Sequence, residues 1–324
     1  MNHYRSFHTA MQERFGCKVY KLSLDGGMTC PNRDGTIGTR GCIFCGEQGA
    51  GTFAAPCCGS IRDQLEAAKR RVERKNRGGK YVAYFQSFTN TYAPLAYLED
   101  IFTQAMEPEE ICALSVATRP DCLPEEVVSL LEKLNRQKPV WVELGLQTIH
   151  PTAARYIRRG YDLTVYDDAV RRLKSAGLEI ITHVILCLPG ESRGDMLETV
   201  RYVGRSGADG IKLQMLHVLE GTDLAGDWRA GKVPLPTLEE YISLLEDCLA
   251  ELPPDMVIHR LTGDGAKRDL LAPLWTGDKK RVLNAIRTAF DRDQVVQGSG
   301  YKQERSIRNG CSTMITGGIG HDQN

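Results

Sequence analysis

Short apolar runs alternate with amphipathic stretches along this chain, and that alternation limits the fold more than any other feature. The runs are VYKLSL (19–24), YVAYFQSF (81–88), ICALSVAT (111–118), VWVELGL (140–146), EIITHVILCL (179–188) and GIKLQMLHV (210–218), with a weaker seventh, MVIHRL (256–261). Between them lie helix-length stretches at roughly 60–77, 94–106, 124–136, 151–157, 164–176, 192–206 and 237–252. Thr237 with Glu240 makes a capping box, Pro124-Glu125-Glu126 is a good helix start, and Gly177 and Gly207 close two others. Strand and helix repeating in this way read as βα units on a parallel sheet. Six units predict an α/β fold, a partial TIM-type (β/α)6 barrel, rather than a flat doubly wound sheet. Residues 1–254 are assigned to the barrel, and 255–324 to a small C-terminal extension packed on it, with a Gly/Ser/polar-rich loose tail from Gln297.

Ligands bind in such barrels where the parallel strands end. The loop that follows the first run, TCPNRDGTIGTRGCIFCG (29–46), is therefore expected over the barrel mouth. It sets Cys30, Cys42 and Cys45 among the turn formers Pro31, Gly35, Gly38 and Gly41. The chain has eleven cysteines in 324 residues, an odd number with no secretory signal ahead of them, so a disulfide framework is not expected. Cys112, Cys187 and Cys248 lie in apolar surroundings and read as small buried hydrophobes. The loop trio does not, because its neighbours are loop residues. Zinc with four protein ligands would need one more, from Cys57, Cys58 or a histidine. Unligated buried thiols are a second reading. A 4Fe-4S cluster held by three thiolates, with one iron left open to a substrate or cofactor, is the third.

Composition narrows the partners. Formal charge is zero, so no global field draws in nucleic acid, and a polyanion must find a local basic patch. The start, MNHYRSFHTAMQERFG, has no apolar signal core, and no apolar run is long enough to span a bilayer. A cytoplasmic protein without a membrane partner is expected.

The segment KLSLDGGMTCPNRDGTIGTRGCIFCG resembles the YhcC/YtqA-type (MnmL-like) radical S-adenosylmethionine (SAM) proteins, relatives of the Elongator catalytic subunit and of oxygen-independent coproporphyrinogen oxidase. The common superfamily spacing puts three residues between the first two cysteines. Here there are eleven, which is the mark of this branch. The resemblance continues through YFQSFTNTYAP (84–94), SVATRPDCL (115–123), WVELGLQTIH (141–150), HVILCLPGE (183–191), KLQMLHVLEGT (212–222) and HRLTGDGAKRDLLAPLW (259–275). It implies a 4Fe-4S cluster on Cys30, Cys42 and Cys45, with SAM on the open iron. Phe44 is then expected near the adenine, Ser87, Phe88, Thr89 and Asn90 at the SAM amine, and Arg159 at the SAM carboxylate. Glu143 and Gln147 are expected at the SAM end of the pocket, and backbone near Met215 and Leu216 at the adenine. Thr89 or Asn90 capping the next helix, a structural network around Glu143, and a solvated helix end for Arg159 are the alternatives. Cys187 stands where relatives carry glycine and reads as a packing substitution. Cys57 and Cys58 fall outside the pattern.

Polar residues alternating along buried strands mark a lined pocket. Lys212, Gln214 and His183, with Arg119 and Asp121, are expected to face the substrate, although a satisfied core histidine is an equal reading of His183. The resemblance implies reductive cleavage of SAM to a 5′-deoxyadenosyl radical that abstracts hydrogen, with an electron donor such as flavodoxin or ferredoxin. It points to the tRNA wobble uridine, and to conversion of 5-carboxymethylaminomethyl-(2-thio)uridine into the 5-aminomethyl product that a methyltransferase can finish. The target carboxylate would suit Arg119 or Lys212. Phosphates of an anticodon loop would suit Lys69, Arg70, Arg71, Arg74, Lys75 and Arg77, or Lys279, Lys280 and Arg281, or Lys302, Arg305 and Arg308. Radical SAM chemistry on a metabolite or peptide, and a non-enzymatic iron–sulfur or zinc module, are the competing readings.

Overall fold

A computed structural model of the chain describes residues 2–46, 49, 59–76, 78–263 and 267–302. Cys57, Cys58, Arg77, Arg305 and Arg308 lie outside the described residues. Six strands follow one another in chain order: β1 (Val19–Leu24), β2 (Lys80–Phe85), β3 (Ile111–Thr118), β4 (Val140–Gln147), β5 (Glu179–Leu186) and β6 (Gly210–Met215). After a short β7 (Val218–Leu219), the weaker seventh run forms β8 (Val257–Arg260) and pairs in parallel with β6, Gly210 opposite Val257 and Ile211 opposite Ile258. All six pairings in the seven-stranded main sheet run parallel, β1-β2-β3-β4-β5-β6-β8, and the sheet curls as an open partial barrel. β7 pairs antiparallel with β9 (Leu270–Ala272) beside it.

Helices carry the chain back between the strands. α1 (Phe7–Phe15) precedes β1; α2 (Ile61–Val72), α3 (Leu95–Met106), α4 (Glu125–Asn135), α5 (Pro151–Tyr156) with α6 (Leu163–Ser175), and α7 (Arg193–Arg205) connect β1 through β6. α8 (Asp223–Arg229) and α9 (Leu238–Glu251) lead to β8, and α10 (Lys279–Arg292) follows β9. Their starts are chemical. Ser60, Ser192 and Thr237 each accept from the backbone three residues on, and Asp63, Asp195 and Glu240 return the bond, three full capping boxes.

Three helices had no counterpart in the sequence reading: α1, α8 and α10. α1 has sparse apolar content, but Ser6 caps its start and Gly16, at φ 70°, ends it. It buries Ala10 and Met11, with Phe7 and Phe15, against Val19, Val82, Cys112, Ala113, Trp141 and Ile181. These residues come from the N-terminal halves of the strands, so α1 plugs the end of the barrel opposite the mouth. Just ahead of it, Arg5 accepts a bond from the Ile258 backbone, so the N-terminal segment also covers the outer edge of β8.

Three strands stop earlier than their apolar runs. β2 ends at Phe85 and β5 at Leu186, and Phe88 (φ 57°), three residues on, and Cys187 (φ 66°), the next residue, take left-handed conformations that turn the chain. The β6 run divides at Met215, and Val218 joins the second sheet. Each early stop is at the mouth, where the chain leaves the sheet to build the site.

The central strands are largely buried, β3 from end to end. Leu213 on β6 has no exposed surface in the main core. Leu213→Ala is expected to cost about 2–5 kcal/mol through lost burial and the cavity left behind. A lower urea midpoint at unchanged slope is the measurement, and an unchanged midpoint contradicts the packing described.

Candidate active site at the barrel mouth

The cysteine loop is held by two residues that the sequence reading passed over. Asn32 Nδ2 donates to the Arg158 carbonyl at 2.7 Å and reaches Cys42 Sγ at 3.5 Å. Arg33 donates to the carbonyls of Cys45 (2.9 Å) and Gly46 (2.6 Å), and its guanidinium lies 5.4 Å from the Phe88 ring centre. Gly41, at φ 70°, would bring a Cβ to 3.0 Å from Arg33 Nε, so glycine lets the loop close on its own clamp. Burial pushes the Cys42 thiol up to about 11, and the neighbouring sulfurs of Cys45 and Cys30 push the same way. Burial also raises Cys45, against the pull of Arg33. Thiols gathered like this become thiolates when a cationic centre sits among them.

One cavity runs from this loop into the barrel. Its lining includes Cys30, Cys42, Cys45, Phe44, Thr89, Arg119, Gln147, Arg159, Met215 and Leu216, and, deeper, Glu143, His183, Lys212, Gln214 and Arg260. Ser87 and Asn90 are not in that lining. Asn90 Nδ2 bonds the Ala117 carbonyl at 2.8 Å, while its Oδ1 and the Ser87 Oγ are buried without a hydrogen-bond partner. Neither Thr89 nor Asn90 caps the next helix, because α3 starts from Pro94 with no side-chain cap.

The rim is stiff. Gln147 closes β4 at φ 69°, and its Oε1 is buried and unpaired. Backbone strain and an orphaned buried acceptor therefore coincide at this one residue of the cavity lining. Arg159 is 5% exposed and donates to the carbonyls of Thr148 (2.5 Å) and Tyr161 (3.0 Å), so it is no solvated helix end. Arg119 is held by both oxygens of Asp121, at 2.9 and 2.7 Å, and both arginines stack on Tyr161. Cys187 takes the left-handed conformation that glycine adopts freely, so backbone shape rather than packing explains why glycine suits this position; burial holds its thiol up at about 12.

The floor is ionic. Glu143 lies four residues before Gln147 on β4, about 13 Å deeper at the usual strand rise. Its carboxylate is fully buried and accepts from Lys21 Nζ at 2.5 Å, Ser115 Oγ at 2.7 Å, His183 Nε2 at 2.6 Å and Lys212 Nζ. Burial alone would raise its pKa, but Lys21, Lys212 and His183 together hold it well below the usual carboxylate range. Lys212 Nζ also donates to Tyr84 OH at 3.0 Å. Burial, together with the charges of Lys21 and Arg260, pushes Lys212 well below the usual lysine range despite Glu143. The sequence signal for Lys21 was there, a charged residue alternating inside VYKLSL, but its partner lies three strands away.

The radical SAM superfamily pattern matches residues 34–203, and the Radical_SAM C-terminal domain matches residues 208–292. The chain belongs to the radical SAM superfamily. It is 39% identical over 300 residues to the uncharacterized protein YtqA of Bacillus subtilis, covering 93% of each chain. It is 40% identical over 268 residues to protein YhcC of Escherichia coli, covering 82% of this chain and 85% of that one. A tRNA uridine(34) acetyltransferase of Methanocaldococcus jannaschii is 28% identical over 144 residues, 44% of this chain and 26% of that protein. Among solved structures, the archaeal Elp3 of Methanocaldococcus infernus shares the fold at a TM-score of 0.64 and 17% identity, over 86% of this chain and 64% of that one.

Radical SAM proteins carry a 4Fe-4S cluster and SAM, and this site fits both. The thiol trio lacks only a cation, and the rim supplies an unpaired amide oxygen and a buried arginine. No helix among the described residues is long and apolar enough to cross a membrane.

His183 gives the floor a pH signature. Burial, with the charge of Lys212, lowers it from 6.5 to about 4 against the pull of Glu143. The unfolded chain therefore holds that proton between about pH 4 and 6.5 and the folded chain does not, so stability rises with pH across this window. The contribution is at most about 3 kcal/mol. Denaturant midpoints from pH 4 to 8 should rise more steeply in the parent than in His183→Gln; parallel curves contradict the assignment.

Proposed function

We propose that this radical SAM enzyme modifies the wobble uridine of tRNA, converting 5-carboxymethylaminomethyl-(2-thio)uridine to 5-aminomethyl-(2-thio)uridine. The observation that carries the reading is the cavity joining the cysteine loop to a polar floor lined by Glu143, His183, Lys212 and Gln214, in a chain similar to a tRNA uridine(34) acetyltransferase. A target base bearing a carboxylate needs a cofactor site at the mouth and an anion-tolerant interior behind it, and the cavity offers both. When bound, the cluster and SAM supply the hydrogen abstraction.

The chain's own residues do the rest. Cys30, Cys42 and Cys45 hold the cluster. Gln147 Oε1 and the hydroxyl of Thr89 accept from the SAM amine, and Arg159 balances its carboxylate. Ser87 and Asn90 sit behind the cavity wall, where Asn90 ties the turn after β2 to the Ala117 carbonyl. Phe44 and the backbone of Met215 and Leu216 border the adenine. Arg119, already neutralised by Asp121, orients the base by stacking and hydrogen bonding rather than by pairing with its carboxylate.

RNA phosphates need exposed cations. Lys279, Lys280 and Arg281 fill the first turn of α10 and are exposed there. A helix N-terminus already carries partial positive charge, and basic side chains in that turn add to the local positive field that a polyanion would meet. On α2 and the turn after it, Lys69 is taken by Glu66 and Glu110, while Arg70, Arg71, Arg74 and Lys75 lie on the exposed surface, Arg71 within a contact of its own. An electron donor such as flavodoxin or ferredoxin, and a methyltransferase acting on the product, complete the proposed setting in the cytoplasm.

The test is the nucleoside content of tRNA from a strain lacking this protein and from the complemented strain. Carboxymethylaminomethyl-uridine is expected to accumulate, with the aminomethyl and methylaminomethyl forms depleted. Identical profiles overturn the tRNA reading.

A further inference from the structure

The sulfurs of the cysteine loop are not alike, because Cys42 has an amide at its side. Asn32 is 4% exposed, and its Nδ2 carries two hydrogens. One goes to the Arg158 carbonyl at 2.7 Å, which leaves the other for Cys42 Sγ at 3.5 Å. A carbonyl can only accept, so the amide faces it nitrogen first and its orientation is settled by its partner. The Cys42 thiol meets the same carbonyl at 3.8 Å, as a weak donor.

Loss of the thiol proton changes that triangle. A thiolate has no hydrogen to give, so the sulfur faces a carbonyl oxygen, and the Asn32 N–H is the group that offsets the contact. Its effect is already present on the thiol: burial drives Cys42 up, and the bond from Asn32 pulls the other way.

The backbone is shaped to keep the amide there. Arg158, which supplies the carbonyl, has φ 58°, a left-handed conformation that residues other than glycine rarely take, and Asp223 anchors its side chain. Gly160 has φ 83°, and a Cβ on it would come to 2.9 Å from Asn32 Oδ1. The main-chain carbonyl of Asn32 accepts from Gly41 at 2.7 Å. Closing the loop needs the bonds to Gly41 and to the Arg158 carbonyl. It does not need the second amide hydrogen on a sulfur.

We propose that Asn32 is a positioning residue with a redox role, whose N–H···S bond to Cys42 raises the reduction potential of the iron–sulfur cluster held by the loop. Reduction adds negative charge that spreads onto the ligand sulfurs, and a donor aimed at one of them stabilises the reduced state more than the oxidised one. A weaker one-electron donor then suffices. The inference rests on Cys42 as a cluster ligand and is independent of the tRNA reading.

The test uses the full chain with its asparagines labelled with nitrogen-15, reconstituted without oxygen. Pulsed EPR of the reduced parent, without SAM, should show coupling to one labelled nitrogen and to an exchangeable proton. Among the described residues, Asn32 is the asparagine bonded to a cysteine sulfur. Asn32→Leu keeps the volume and loses both hydrogens. It should lose the coupling and lower the midpoint potential by about 59 mV, a tenfold change in the one-electron equilibrium. Asn32→Asp, of the same shape but carrying a charge, should lower it further. A role in loop shape alone would reduce iron uptake and leave the potential of the loaded fraction where it was. A parent that holds iron without the nitrogen coupling, or loaded variants with the parent's potential, overturns this inference alone. A parent that holds no iron overturns the cluster reading and this inference with it. The parent spectrum decides even where neither variant takes up iron.

Discussion

Three thiols on one short loop are the constraint from which the rest of this structure follows. Buried together, Cys42 and Cys45 are driven towards the neutral thiol, and each nearby sulfur makes ionisation of the next harder. Such a loop is of use only around a cationic centre, and it has to be held in shape for one. Asn32 and Arg33 do this by bonding carbonyls of the loop and of the segment after α5. β1 delivers the loop to the mouth, and the parallel sheet brings the ends of the next strands around it.

The opposite end of the cavity solves a different electrostatic problem. A carboxylate buried in a barrel is tolerated only when fully bonded. Glu143 meets that condition with donors from β1, β3, β5 and β6. The network ties four strands together across the barrel, so the floor is also a structural brace. α1 completes it from outside by placing Phe7 against the Lys21 ammonium. A helix with little apolar content of its own thus fixes the position of the charge on which the floor depends. Rim and floor are kept apart by about 10–13 Å of strand.

Much of the architecture was legible because burial leaves a strong pattern. Six continuous apolar runs became six adjacent parallel strands, and the glycine-rich loop after the first lies where such loops must. The weaker MVIHRL run proved to be the seventh strand, its histidine and arginine being polar because they face the barrel interior. α1 was not legible from periodicity, since it rests on tertiary contacts, and the end signals at Ser6 and Gly16 were the available clue; α10 carried the signal in Val282, Ile286, Ala289 and Phe290 at helical spacing, but it fell in the stretch assigned to the extension without elements. In the site, the cysteines, Gln147, Arg159 and the Lys212 strand all reached one cavity. Ser87 and Asn90 did not, because the turn at Phe88 rotates them behind the wall. The pairing of Lys21 with Glu143 could not be read, because nothing in a sequence says which strands curl to face each other.

Anaerobic reconstitution of the parent and of Cys30→Ala, Cys42→Ala and Cys45→Ala, with iron per chain and 5′-deoxyadenosine from SAM measured together, tests the central claim most directly. The parent should hold about four irons and cleave SAM under reduction, and each variant should lose both. Variants that keep their iron and cleave SAM at the parent's rate would contradict the account.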